Sequence, residues 1–481
     1  MPMNFISSGL QAIRNLKLQN GEFLLIEEIP SSPPGRADAP PRHILVKIRL
    51  NPVARSNIFI EIRLPEPELW NGRFLGLGNG GAAGSINPAI FTQPLRDGYA
   101  AASTDLGTSP DPDSGIGNPE VWRDFGYRAT HFMTVTAKEI IQAYYGRGPE
   151  FSYFSGCSTG GQQALQEAQR YPEDYDGILA RLPAHCRTPL HAYFLWNFQI
   201  LQKCPFSAEQ EANVIAAGNE YMAPREIPMV AGKIISDPRC TPADIEAVVA
   251  LAMKKDASLT PEHAEALRLL FGGPVHAATG ERIFDGIPFG SSFDIARGNL
   301  YLFRWVFGKE RDLMTINFAG DIDIYTAELG PLLNAENPDL SRFEQHGGKL
   351  IITSGSADSC VPYHATLDYY ERAAEAVGSL EHLRKFCLFY LIPGMSHGPG
   401  PGVNQLLDLL NLLTRWRENA EFPGTLAGER LEDDRLIFQL PIPPYPEKIV
   451  LDEKNGEPKA ISGPRGGVNR IAQRFLPPAG E

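Results

Sequence analysis

The stretch Tyr153-Phe154-Ser155-Gly156-Cys157-Ser158-Thr159-Gly160-Gly161-Gln162-Gln163-Ala164-Leu165 decides how the chain is read. It opens as a short aromatic run, breaks at glycines, and continues through Tyr171 as a segment of helical composition. Residues 156–160 match G-x-S-x-G, the sharp strand-to-helix turn that exposes a serine hydroxyl. Chemistry needs that shape. Glycines on both sides let strand and helix approach, and the helix amino terminus favours developing negative charge. In a chain with 46 glycines the bare pattern arises readily by chance, as a glycine-softened turn, so its weight comes from its surroundings.

Working outward, residues 43–50, 58–64, 74–77 and 98–107 read as strands, 127–145 as a helix, and 153–156 as the strand before the turn. Strand, helix, strand, helix implies a mainly parallel sheet covered by helices. From 182 to 345 the pattern changes to Pro-punctuated helical segments without strands between them, which predicts an inserted, mainly helical domain. Strand and helix resume at 349–355, 364–378, 385–394 and 404–420, and the last thirty or so residues, rich in Pro and Gly, are expected to wrap the surface. The expected units are residues 1–181, 182–345 and 346–481, the first and third forming one α/β domain.

A serine nucleophile needs a base to take its proton and an acid to orient that base. In this architecture they follow in the order Ser, Asp, His, on loops after later strands. Asp358 comes just after the run LIITSG and His397 just after CLFYLIPG, which makes Ser158, Asp358 and His397 the candidate triad. The bland roles are a helix-capping acid for Asp358 and a surface histidine for His397. His364 and Asp368 fall within a helix and are weaker candidates.

The run Gly76-Leu77-Gly78-Asn79-Gly80-Gly81 also matches the G-x-G-x-x-G dinucleotide pattern, with Asp105 at the spacing of a ribose-binding acid. That reading needs a helix opening at the third glycine, and the following segment carries Pro88 and Pro94 instead. The better reading is an oxyanion loop, in which a backbone N–H of Gly81, or of Gly80 as second choice, pairs with that of Thr159. Asp321 and Asp323 lack the further ligands of a metal site and read as a capped or solvated turn, and Glu432-Asp433-Asp434-Arg435 as a solvated face. No metal and no cofactor are expected.

Acids exceed bases to give a net charge of −13, and no basic stripe occurs, so nucleic acid and anionic membrane surfaces are poor partners. No apolar run reaches the ~18 residues of a membrane-spanning helix. The amino-terminal segment is broken by Arg14 and Lys17 and does not read as a secretion signal. Six cysteines without metal-ligand spacing read as a reduced set, so a cytoplasmic location is expected.

Several stretches together resemble the tannase and feruloyl esterase family of α/β-hydrolases: WNGRFLGLGNGGAAG (70–84), GYAAASTDLG (98–107), DFGYRATH (124–131), YFSGCSTGGQQALQEAQRYPEDYDGI (153–178), DYYERA (368–373) and PGMSH (393–397). The resemblance implies an α/β-hydrolase fold, the roles given above to Ser158, Asp358 and His397, and a substrate-shaping lid at 182–345. Two features of the family are missing. Its members usually bridge a cysteine before the nucleophile to one after the histidine; here Cys157 is present but position 398 is Gly. Their lid calcium loop precedes a D-P-R tripeptide, and counting back from Asp237-Pro238-Arg239 its acidic positions hold Pro228 and Gly232.

The expected function is serine-dependent hydrolysis of a small-molecule ester of an aromatic or polyketide-like acid. The alternative is an acyltransferase or lactone-forming enzyme using the same acyl-serine. A non-enzymatic binding module is disfavoured by the intact triad and glycines. A Cys157–Cys360 bridge and the oligomeric state are left open by the sequence.

Overall fold

The computed structural model describes residues 2–31, 39–223, 226–229, 232–235, 240–293, 300–398, 400, 402–452, 458–466 and 469–476. Its strands are β1 (Gly21–Ile29), β2 (His43–Leu50), β3 (Ile58–Pro65), β4 (Arg73–Leu77), β5 (Ala100–Thr104), β6 (Phe151–Cys157), β7 (Gly177–Arg181), β8 (Glu226–Met229), β9 (Gly232–Ile235), β10 (Lys349–Gly355) and β11 (Cys387–Ile392). Nine of them form one sheet in the order β1-β2-β3-β5-β4-β6-β7-β10-β11. The β1, β2, β3 and β5 neighbours pair antiparallel, and from β5 to β11 all neighbours pair parallel. Parallel neighbours need crossovers, supplied by the helices Ala129–Tyr145, Thr159–Arg170 and Tyr363–Ala376. Gly146, in the left-handed region at φ 76°, ends the first of these.

Strands such as β10, buried along nearly their whole length, read as continuous apolar runs because both faces are covered. Alternation divides their side chains between two cores. Phe154, Ile178 and Ile352 join Leu165 on one face, while Tyr153, Leu179 and Ile351 meet Leu413 and Trp416 on the other. The reaction-competent end of such a sheet is the carboxyl end of its strands, and there β6, β10 and β11 deliver the Ser158, Asp358 and His397 loops.

Between β7 and β10 the chain forms helices Arg187–Lys203, Ala208–Met222, Pro242–Lys255, Pro261–Gly272, Tyr301–Phe307 and Gly320–Leu333. Ser207, Thr241 and Thr260 open three of them with reciprocal capping boxes. The two ends of this excursion are held together. Ala335 N–H donates to the His185 carbonyl at 2.8 Å, Thr188 N–H to Asn334 Oδ1 at 2.9 Å, and Gln162 Nε2 to the Leu333 carbonyl at 2.7 Å. His185 and Arg372 both engage the buried Glu336 carboxylate; burial works to raise its pKa, but the two partners lower it overall.

Several expectations need correction. The segment read as free of strands holds the antiparallel hairpin β8–β9, too short for periodicity to mark. Near the carboxyl terminus Gln405–Leu406, Leu426–Glu432 and Arg435–Ile442 form a three-stranded sheet, and Lys448–Leu451 pairs with Pro458–Ile461. The helix read over 404–420 therefore starts only at Leu409, because Gln405 and Leu406 pair with Glu429 and Gly428. Glu432-Asp433-Asp434-Arg435 is the exposed hairpin turn of that sheet, with both aspartates at positive φ. β1 was not legible: it is an edge strand whose side chains are only partly buried.

Candidate active site

Ser158 stands between β6 and the helix Thr159–Arg170 at φ 60°, ψ −116°. A non-glycine residue held there stores roughly 1–3 kcal/mol of strain, so the surroundings must over-determine it. They do. Ser158 N–H donates to the Arg181 carbonyl at 3.0 Å, and its own carbonyl accepts from Gln162 and Ala184. A Cβ on Gly156 would sit 2.1 Å from the Gly160 carbonyl oxygen, and one on Gly78 2.6 Å from Gly160 Cα, so three backbones close on one another only as glycine.

The glycine loop after β4 docks on this elbow. Gly160 N–H donates to the Asn79 carbonyl at 2.8 Å, Gln163 Oε1 accepts from Asn79 N–H at 2.8 Å, and Asn79 Nδ2 reaches the Thr104 carbonyl at 2.6 Å. Gly81 takes φ 57°, and its carbonyl accepts from Thr159 Oγ1 at 2.6 Å and Arg187 Nη2 at 3.2 Å. With the carbonyl turned inward, the Gly81 N–H and the Thr159 N–H have no hydrogen-bond partner among the described residues. Two unoccupied donors beside a strained serine are what an oxyanion requires. Asn79, Gln163 and the almost fully buried Arg187, which also bonds Tyr301 OH at 2.6 Å, hold this loop and were not singled out from the sequence.

Asp358 is fully buried, and its two oxygens have separate duties. Oδ1 accepts from the Cys360 and Val361 N–H groups at 2.9 and 2.8 Å; Oδ2 lies 2.8 Å from His397 Nδ1. A proton on Nδ1 leaves Nε2 as the lone-pair nitrogen of the imidazole. No hydrogen bond joins Ser158 Oγ to His397 among the described residues. Such contacts are often long without substrate and tighten when it binds. Cys157, the residue before Ser158, and His397 line one chamber. From the insertion, Tyr193 OH donates to the Ser359 carbonyl at 2.8 Å and steadies the Asp358 loop.

The other candidates lie elsewhere or are already engaged. His364 is partly buried in its helix, where desolvation lowers its pKa, and Asp368 is paired with Arg372 at 3.0 Å. Asp105 accepts from Phe59 and Gly107 N–H groups, and burial pushes its pKa up to about 6. After the glycines the chain makes a short 3-10 turn, Pro88–Phe91, and the five-residue helix Thr92–Arg96, with no helix at the third glycine. Asp321 Oδ2 accepts from Asn317 N–H and Arg311, next to the start of the helix Gly320–Leu333. Cys157 and Cys360 are both free thiols. The loop compared with a calcium site lies at 224–239: Asp237-Pro238-Arg239 is outside the described residues, and of Pro228 and Gly232 only the strand backbone is described. Among the described residues no helix is long and apolar enough to cross a membrane.

The comparisons with known proteins agree with this fold. The family model for tannase and feruloyl esterase matches residues 44–309 and 309–459. A probable feruloyl esterase B-2 from Aspergillus flavus is 31% identical over 412 residues, covering 79% of this chain and 78% of that protein. A mono(2-hydroxyethyl) terephthalate hydrolase from Piscinibacter sakaiensis is 25% identical over 457 residues, covering 77% and 74%. Among solved structures, feruloyl esterase B from Aspergillus oryzae superposes with a TM-score of 0.81 at 22% identity, covering 95% of this chain and 100% of that one. A tannin acyl hydrolase from Aspergillus niger gives 0.75 at 17% identity, covering 99% and 96%. An α/β-hydrolase sheet with a strained serine elbow, matched over most of its length, identifies the chain as a carboxylic ester hydrolase belonging to the tannase and feruloyl esterase family.

Proposed function

We propose that this chain hydrolyses esters of phenolic or related aromatic acids through an acyl-enzyme on Ser158. The observation that carries the mechanism is the Asp358–His397 pair: a fully buried carboxylate, engaged on one oxygen by two N–H groups, orients the imidazole with the other. His397 Nε2 takes the Ser158 proton as Oγ attacks the ester carbonyl. The Gly81 and Thr159 N–H groups receive the tetrahedral oxygen. His397 returns that proton to the departing alcohol, leaving acyl-Ser158. Water then attacks, giving its proton to His397, and the acid leaves as Ser158 regains its hydrogen.

The aromatic-acid substrate is supported by the relatives named as feruloyl esterase and terephthalate-monoester hydrolase. Residues 182–345 are proposed as the lid that selects among such esters, and the six free thiols support a cytoplasmic location. The test is mass spectrometry after incubation with a fluorophosphonate, followed by a panel of aryl esters with and without alcohol acceptors. Labelling of Ser158 with free acid as the only product is expected. Transfer of the acyl group to the added alcohol in place of hydrolysis would select the acyltransferase alternative, and an unlabelled Ser158 would overturn the mechanism.

A further inference from the structure

Strand register brings an unusual set of side chains together on the sheet face away from the helix Thr159–Arg170. Leu77 lies beside Ser155 and Ser155 beside Leu179; two positions further on, Cys157 lies beside Arg181 and Arg181 beside Thr353. Neighbouring strands are about 4.8 Å apart, and residues two apart share a face, so these six form two adjoining rows. With His397 they line a chamber of about 630 Å³, well within the size of small-molecule sites. Ser158 is not part of its lining, since the elbow breaks the alternation of β6 immediately after Cys157.

The chamber is polar at its ends and apolar between. The side chain of Arg181, the last residue of β7, is exposed and makes no ion pair or hydrogen bond among the described residues, while its carbonyl accepts from Ser158 N–H. Its guanidinium is a fork of donors suited to a carboxylate. The two carboxylates that also line the space, Asp97 and Asp408, are engaged by the amides of Gln93 and Asn411, and neither makes an ion pair with Arg181. Asp97 stands at the opposite end, where its carbonyl accepts from Asn71 just before β4 begins. Between them Leu77 and Leu179 supply an apolar floor.

We infer that this chamber is a binding site for a small apolar monocarboxylate, its carboxylate on Arg181 and its body on Leu77 and Leu179. Only the natural occupant rests on the proposed function: an enzyme that releases aromatic acids makes its own ligand. An acid seated there lies against His397 without occupying the place of the acyl group on Ser158. Cys157, in the same row as Arg181, reports on occupancy.

Titration of the full chain with p-coumarate and benzoate, before and after Ser158 is blocked by a fluorophosphonate, tests the site. Saturable binding below about 10 mM is expected in both states. Arg181→Gln should weaken it about tenfold or more, and Arg181→Lys less. In parallel, alkylation of Cys157 at alkaline pH, followed by peptide mass spectrometry, should be slowed by either acid. Iodoacetate should be favoured over iodoacetamide in the wild type but not in Arg181→Gln. Equal affinity in wild type and Arg181→Gln, loss of binding when Ser158 is blocked, or acid-insensitive alkylation would overturn the inference. Arg181-dependent binding in a protein that leaves Ser158 unlabelled would sink the esterase mechanism and leave the chamber standing.

Discussion

The loops carrying Ser158 and His397 leave strands three places apart in the sheet, and they are held in different ways. The elbow is over-determined: three glycine backbones in contact, a serine N–H and carbonyl both engaged, and the Asn79 loop docked on top. Among the described residues the His397 loop is anchored at its base and, past the histidine, by Arg430 Nη1, which donates to the Gly400 and Gly402 carbonyls. Ser356 Oγ accepts from Gly394 N–H at 2.7 Å, Ala357 N–H donates to the Met395 carbonyl at 3.0 Å, and Gly355 leaves no room for a Cβ against that same carbonyl. Among the described residues the imidazole itself makes one hydrogen bond, to Asp358, and it keeps a quarter of its side chain exposed. A strained nucleophile needs rigidity to persist; a base that must take and return a proton tolerates a looser mount.

The largest effects should come from breaking the chemical link between the two loops. Ser158→Ala and His397→Ala are each expected to lower turnover of a cognate aryl ester by three or more orders of magnitude, because triad members act as a unit. Turnover near wild type in Ser158→Ala would remove the mechanism. Asp358→Asn should cost roughly two to four orders, since an amide stabilises the wrong imidazole tautomer. Its fold should persist, because Asn Oδ1 can still accept from Cys360 and Val361. A melting temperature near wild type with this loss of kcat would assign the damage to His397 alone.

A smaller effect is expected at the base of the looser loop. Ser356→Ala leaves the Gly394 N–H without its partner, at about 1–3 kcal/mol for a buried donor. Denaturant titration should show that loss together with a fall in kcat, while fluorophosphonate binding at the elbow changes less. An unchanged kcat would mean that the loop is fixed by contacts other than Ser356.

How legible this was depends on where the signal sits. The elbow, the parallel strands and the order Ser158, Asp358, His397 are written locally, in glycine spacing and in apolar runs that end in loops. The Arg187 and Gln163 ties to the glycine loop are not, because each partner lies about eighty or more residues away and neither residue type is diagnostic. The hairpins near the carboxyl terminus escaped for another reason: prolines and glycines interrupt that region, and short strands there carry little periodicity. The chamber beside Arg181 was invisible in sequence, since it exists only through the register of four strands.

The smallest expected effect is that of reduction, and it sharpens the contrast most. A bridge between the two loops would stabilise by about 5 kcal/mol or slightly more in the chain-entropy model, given the two hundred or more residues between them. Gly398 offers no thiol for it, and Cys157 and Cys360 are free. The His397 loop must therefore hold its place without a covalent tie. Dithiothreitol should leave both activity and melting temperature unchanged, and titration of the denatured, unreduced protein should count six thiols. Burial raises the Cys157 pKa, with Arg181 pulling the other way, so at neutral pH the thiol stays protonated and does not compete with the Ser158 hydroxyl. Its alkylation rate should rise with pH beyond the ordinary thiol range, because only the thiolate reacts. A count of four thiols, with activity lost on reduction, would show that the two loops are covalently joined and that the difference between their mounts does not exist.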